Sequence, residues 1–288
     1  MKKCIICGEL KKENEFNIEH IIPEALGNKS LKIDNVCVNC NSKLGSKVDK
    51  YITTGFFMEL VRMCNNVGGK NNKLPFPFKE GMDEEGNKIR LDNNFSPSFV
   101  PRVENNGNLY NIRTSTKQEA IEILQKICNR KVVNYSKMQE MIEKIENAEM
   151  KESKPTISYK FELDLNKLEV AILKVAYEYA YLKLGETYYS DKYGVMIRNI
   201  IKNAIDNNVY ERCNFIFKLP NKCNSKINYL GKNCSNSHLL IMQPIKNEII
   251  LLISLFCEES LTYVIRISDN SYIYQNAYFT ELIELNKI

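Results

Sequence analysis

Two pairs of cysteines, Cys4/Cys7 and Cys37/Cys40, bracket the run Ile18-Glu19-His20-Ile21-Ile22-Pro23. Each pair has the Cys-x-x-Cys spacing of a local chelate. Four thiolates in two such pairs, about thirty residues apart, suit one tetrahedral zinc ion with a structural role. The chain has ten cysteines, a number that would suit disulfides in a secreted protein. Met1-Lys2-Lys3-Cys4 has no apolar signal region behind it, so reduced thiols, metal ligation and a cytoplasmic location are expected instead. The other six cysteines, Cys64, Cys128, Cys213, Cys223, Cys234 and Cys257, are scattered, and most of them read as buried free thiols.

Between the pairs lie Glu19 and His20, the latter one of only two histidines. A carboxylate ligates Mg2+ or Mn2+ through oxygen, and an imidazole with a pKa near ~6.5 takes a proton from water at neutral pH. Adjacent strand residues point to opposite faces, so sharing one site requires a bend at the strand end, and Pro23 follows shortly. The amide oxygen of Asn41, just past the second pair, is a further ligand candidate. His238, with Cys223 and Cys234 and with Cys213 as an optional fourth ligand, offers a second zinc set of irregular spacing; a structural histidine opening a strand is the stronger expectation.

The elements that would position these groups are short. Phe16 to Ile22 and Leu31 to Val36 read as strands, and Asn41 to Ile52 as a helix with Leu44, Val48 and Ile52 on one face. Phe56 to Cys64 continues as a second helix. Residues 65 to 108, rich in Asn, Gly and Pro, form a linker or loop-rich β region, with a hairpin at Asn105-Asn106-Gly107. Thr116 and Glu119 make a capping box for a helix to about Val133, and Tyr135 to Glu149 is its partner. After a strand at 158–163, Leu165 to Leu184 is a long apolar helix ended by Gly185. Tyr193 to Asn207 is another. Strands follow at 213–219, 238–244, 248–256, 261–267 and 271–275. The class is α+β: a head over residues 1–62, a loop-rich β linker over 63–112 and a helical, mostly antiparallel-sheet domain over 113–288 that regulates, dimerises or targets.

Cys4-x-x-Cys7, Glu19-His20-Ile-Ile-Pro23, Gly27, Val36-Cys37-x-x-Cys40-Asn41 and Gly45-x-x-x-Asp49 together resemble the zinc-containing HNH endonucleases of the ββα-metal class. The resemblance covers the first 50 to 60 residues. It implies a ββα-metal fold, with His20 as the general base that activates water and with Glu19 and Asn41 holding one catalytic Mg2+ or Mn2+. Asn41 stands where the motif often has histidine. The middle asparagine, which orients the base, would be Asn35, with Asn39 as runner-up. Asp49 is either an additional metal ligand or a surface carboxylate.

The net charge of +5 is too small to establish a nucleic-acid binder by itself. Its distribution says more: residues 192–232 carry eight basic side chains against Asp206 and Glu211, either a phosphate-tracking segment or a solvated face. Lys43, Lys47, Arg198, Lys202 and Lys218 are the residues expected to touch nucleic acid. The expected function is a DNA endonuclease, double-stranded DNA first, in a bacterial or phage restriction-like or antiviral setting. A regulatory or targeting protein and a second copy of the chain are the other expected partners; no run is long enough to cross a membrane. A zinc-dependent binding module that no longer cuts and an RNA-cleaving toxin are the alternatives.

Overall fold

The computed structural model describes all residues except 70–71, 108, 153, 219–233, 235, 275 and 288, and not the side chain of Lys218. The chain runs through β1 (Lys2–Lys3), β2 (Leu10–Lys11), β3 (Phe16–His20), β4 (Lys32–Cys37), α1 (Val38–Leu44), a π-helical segment (Gly45–Asp49), α2 (Lys50–Thr53) and α3 (Phe56–Cys64). Then come β5 (Glu80–Met82), β6 (Lys88–Leu91), β7 (Pro97–Phe99), β8 (Arg102–Asn106), β9 (Leu109–Arg113), α4 (Lys117–Lys131) and α5 (Tyr135–Glu146). The remaining elements are α6 (Leu165–Leu184), α7 (Glu186–Ser190), α8 (Lys192–Asn207), β10 (Ile216–Lys218), β11 (Ser237–Ile245), β12 (Glu248–Ser254), β13 (Thr262–Ser268) and β14 (Phe279–Glu284).

These elements form two compact units, Met1–Pro75 with Glu162–Ile288, and Phe76–Phe161. Their bounds differ from the divisions expected at 62 and 112. The reason is the continuity of the core: Ile5, Ile21, Leu44 and Val48 of the head share one buried cluster with Ile172 and Val175 of α6 and with Leu251 and Ile265 of the sheet.

In the larger unit, β3 and β4 pair antiparallel with Asn17 opposite Val36 but Glu19 opposite Ile33. Asp34 and Asn35 thus oppose Ile18 alone, a β-bulge that bends the hairpin. Strand β4 runs straight into α1, whose N-cap is Cys37, so the helix begins three residues before the expected Asn41. Helix α6 is apolar on nearly every side, as a helix buried all round should be. It packs on the π segment and α2 of the head and on β12, β13 and α8. The five-stranded antiparallel sheet has the order β10-β13-β12-β11-β14. Two of the strand expectations change here. Residues 271–273 form a 3-10 turn, because the Ser271 N–H is taken by the carbonyl of Asn247 at 2.7 Å. The sheet edge is instead β14, which only β11 pairs; Glu284 is exposed on it, and Glu281 pairs with Lys183 of α6.

The smaller unit has its own core of Leu124, Cys128 and Ile142 between α4 and α5. Its loop-rich β region is a three-stranded sheet, β5-β6-β7, and a β8–β9 hairpin. The Thr116 hydroxyl accepts the Glu119 N–H at 3.2 Å and caps α4 as its sequence implied. The expected strand at 158–163 reduces to a bridge between Ser158 and Met82.

Candidate nuclease site

The four cysteines of the two pairs come together. Their sulfurs all lie within 4.8 Å of one another, against about 3.8 Å for the edge of a tetrahedron with Zn–S bonds of ~2.3 Å. Cys4, Cys37 and Cys40 are buried. The Cys37 N–H donates to Cys4 Sγ at 3.4 Å, as a backbone amide does towards a thiolate. Gly8 closes the first pair at φ +79°, where its N–H reaches the Cys4 carbonyl at 2.9 Å; a Cβ there would also meet the Tyr189 hydroxyl at 2.7 Å. Soft donors, enclosure and amide support fit a structural metal ion such as zinc.

The Cys223/Cys234/His238 set has no counterpart among the described residues, where the four-thiol group is the only metal-ligand cluster; Cys223 lies outside them. His238 is a structural residue. Its Nδ1 accepts the Phe256 N–H at 2.9 Å, which leaves Nε2–H to donate to the Leu26 carbonyl at 2.9 Å. It thereby ties β11 to the turn behind the head hairpin; the Asn286 N–H, just past β14, donates to the Gly27 carbonyl of the same turn. Burial pulls the His238 pKa down to about 4. The unfolded chain takes up this proton near pH 6.5 and the folded one only near 4. The stability tied to the neutral ring is therefore complete above about pH 6.5 and drains away as the pH falls towards 4. Urea titrations should show wild-type protein losing about 2 kcal/mol more than His238→Gln between pH 7 and pH 5; equal losses would remove His238 as the cause.

Alternation along β3 sends Glu19 inward and leaves His20 half-exposed. The strand stops at His20 and the chain bends at Ile21–Ile22. Burial, and after it the charge of Lys32, lowers the His20 pKa; Lys32 is exposed and stands opposite His20 in the hairpin register. The ring is therefore neutral at pH 7, the form a general base needs.

Glu19 is 4% exposed and meets Asp49 at a shared cation. Lys174 Nζ lies 2.5 Å from Glu19 Oε1, 3.5 Å from Asp49 Oδ1 and 3.0 Å from Glu178 Oε2. Asp49, at the end of the π segment, is thus no surface carboxylate. Burial pushes its pKa up to about 6 against the pull of Lys174. Burial also raises Glu178, and it opposes the charge on Lys174, which Asp49, Glu178 and Glu19 together hold above the ordinary range. Asp49 Oδ1 and both Glu178 oxygens are buried without a hydrogen bond; their contact with Lys174 is Coulombic.

Asn41 stands apart from this cluster, on the edge of β3. Its Nδ2 donates to Asn17 Oδ1 at 3.0 Å and to the Ile18 carbonyl at 3.2 Å. Asn35 sits in the bulge, which turns its carbonyl out of the ladder to accept the Ile5 N–H at 3.0 Å. Asn39 is exposed on α1. The asparagine that ties the loop behind His20 is Asn28, fully buried. Its amide donates to the carbonyls of Ile22 (2.6 Å) and Leu31 (2.9 Å), and its Oδ1 accepts the N–H groups of Ser30 (3.1 Å) and Leu31 (2.8 Å). An asparagine following Gly27 in a turn was the available signal.

Most of the expected phosphate-binding cations are engaged within the protein. Lys43 and Lys202 both pair with Asp206, at 2.8 and 3.3 Å. Lys47 donates to the Ile205 carbonyl at 2.6 Å, and Arg198 to the Tyr189 carbonyl at 2.8 Å while lying over the Tyr189 ring. The Lys43 and Lys47 contacts arise because the head helix packs against α8; the Lys202 pair lies within α8 and the Arg198 contact joins α8 to α7. The Lys218 side chain lies outside the described residues. No described helix is long and apolar enough to cross a membrane.

Residues 4–57 match the family model of the HNH endonucleases. Comparison with curated proteins and with solved structures found no match.

Proposed function

We propose, from the premise that residues 4–57 form an HNH endonuclease domain, that the chain is a metal-dependent endonuclease hydrolysing phosphodiester bonds in DNA, double-stranded DNA first. The observation that carries the proposal is the end of β3: a half-exposed neutral imidazole, His20, next in sequence to a buried carboxylate, Glu19, and opposite an exposed Lys32. His20 accepts a proton from the attacking water. The water oxygen bonds to phosphorus as the bond from phosphorus to the leaving oxygen breaks. Lys32 is the cation best placed for a scissile phosphate, ahead of the internally paired Lys43 and Lys47. Asn28 takes the orienting role that the motif implied for Asn35.

Glu19 and Asp49, with Asn41 on the adjoining edge of β3, would hold the Mg2+ or Mn2+ ion. The donors are the hard oxygens such an ion takes; Glu19 Oε1 and Asp49 Oδ1 already face the Lys174 ammonium, so the ion would take the other oxygen of each carboxylate. When bound, such an ion stabilises negative charge on the phosphate and the leaving oxygen. The targeting or regulatory role expected of residues 113–288 falls to Phe76–Phe161, which has its own core, since residues 162–288 are packed into the nuclease unit.

Zinc-loaded protein should nick or linearise a supercoiled plasmid in Mg2+ or Mn2+ and leave it intact in EDTA. Linear product without a nicked intermediate would support two heads acting as a dimer. Tight DNA binding with no cleavage in any metal would favour the non-cutting module. Digestion of RNA alone would favour the ribonuclease.

A further inference from the structure

Helix α6 begins more than a hundred residues after the matched segment, yet one of its side chains reaches the end of β3. Lys174 is fully buried. Besides the Glu19 carboxylate at 2.5 Å, its ammonium donates to the His20 carbonyl at 2.9 Å and approaches the Ile21 carbonyl at 3.4 Å. An ammonium has three donors, and three acceptors on consecutive residues surround this one, at the point where the strand ends and the chain bends. An unpaired buried ammonium would cost several kcal/mol. Here Asp49 and Glu178 balance it from the π segment and from the next turn of α6.

We propose that Lys174 is a positioning residue of the nuclease site, holding the Glu19 carboxylate and the His20 backbone from outside the HNH domain so that metal ligand and base serve one centre. The proposal rests on the nuclease reading above. It makes the head dependent on α6: the carboxylate meant for the metal and the peptide carrying the base are oriented by the same cation. Loss of such a supporting contact typically costs 10–100-fold in metal affinity or activity, and small displacements of reacting groups cost about 100-fold in rate.

The test replaces the buried pair together, Lys174→Met with Glu178→Leu. Counted as ionised, three carboxylates and one ammonium carry −2, and the two carboxylates left carry −2 as well. A changed metal affinity then reports position and not net charge. Tyr177→Phe is the control: its hydroxyl is another contact of α6 with the head, to the Ile5 carbonyl at 2.8 Å, and touches neither Glu19 nor His20. Mn2+ binding is followed by electron paramagnetic resonance on zinc-loaded full-length protein, alongside plasmid cleavage, zinc content and thermal melting.

The double variant should retain zinc, bind Mn2+ at least tenfold more weakly and cut about 100-fold more slowly. Tyr177→Phe should lose stability but keep the Mn2+ affinity. Unchanged Mn2+ binding and cleavage in the double variant would reduce Lys174 to a structural role; tighter binding and faster cleavage would make it a block on the site. Either result overturns the proposal. If the apolar pair does not fold, Lys174→Gln with Glu178→Gln keeps the volume and the charge count and is read the same way. Wild-type protein that binds Mn2+ but cuts neither DNA nor RNA defeats the nuclease reading, while the Mn2+ comparison still decides Lys174. Wild-type protein that binds no Mn2+ overturns both.

Discussion

His20→Ala should lower plasmid cleavage by roughly 10²–10⁴-fold, the usual contribution of a positioned general base, with melting temperature and zinc content unchanged. The specificity of the effect follows from where the side chain sits. His20 is half-exposed at the end of β3, and Lys174 bonds its backbone carbonyl, not its ring. Truncation to alanine keeps that carbonyl and empties no core position. Glu19→Gln makes the contrasting case. It removes charge from a buried carboxylate 2.5 Å from an ammonium, so it should depress both metal binding and stability. Cleavage by His20→Ala at the wild-type rate would remove His20 from catalysis and the proposed mechanism with it.

Removing the structural metal should have the largest effect on stability. Metal analysis is expected to find one zinc per chain, and Co2+ in its place should give thiolate charge-transfer absorption. A ligand about 1,000-fold above its dissociation constant adds about 4 kcal/mol, so chelation or Cys37→Ser should lower the melting temperature by about 8–16 °C. A small isolated head would be expected to unfold by itself when its zinc is lost. The structure changes that expectation: Ile5, Ile6, Ile21, Ile22, Leu26, Leu44 and Val48 of the head are almost wholly buried in a core that continues through α6 into the sheet. Head and sheet should therefore melt in one transition at a lower temperature. A separate early transition of the head, with the sheet signal intact, would contradict the shared core.

Several features of this protein were legible because neighbours in sequence decide them. The Cys-x-x-Cys pairs, the Glu19-His20 strand, the Thr116 cap of α4 and the bounds of α3 and α6 depend on spacing, period and local capping, which short windows carry. Asn35 turns its carbonyl out of the ladder because of a bulge opposite Ile18, and no local pattern announces that bulge. Strand β14 was missed because its carboxylates, Glu281 and Glu284, hide an edge strand that only β11 pairs. In α6 the signal was present but unread: Lys174 and Glu178, four residues apart in an otherwise apolar stretch, are two charges with nowhere to go but inward.

By itself, then, the sequence determined the chemistry available at the head: four thiolates for a metal, a carboxylate and an imidazole side by side, and the motif order of an HNH endonuclease. Tertiary structure alone decided what those groups meet. Glu19 and Asp49 converge because α6 places a buried cation between them, and Lys43 and Lys47 are occupied because α8 supplies their partners, Asp206 and the Ile205 carbonyl. The physical reason is the burial of charge. An ammonium or carboxylate removed from water needs an opposite charge or a hydrogen bond wherever the fold can bring one, and here that partner lies about 150 residues away along the chain.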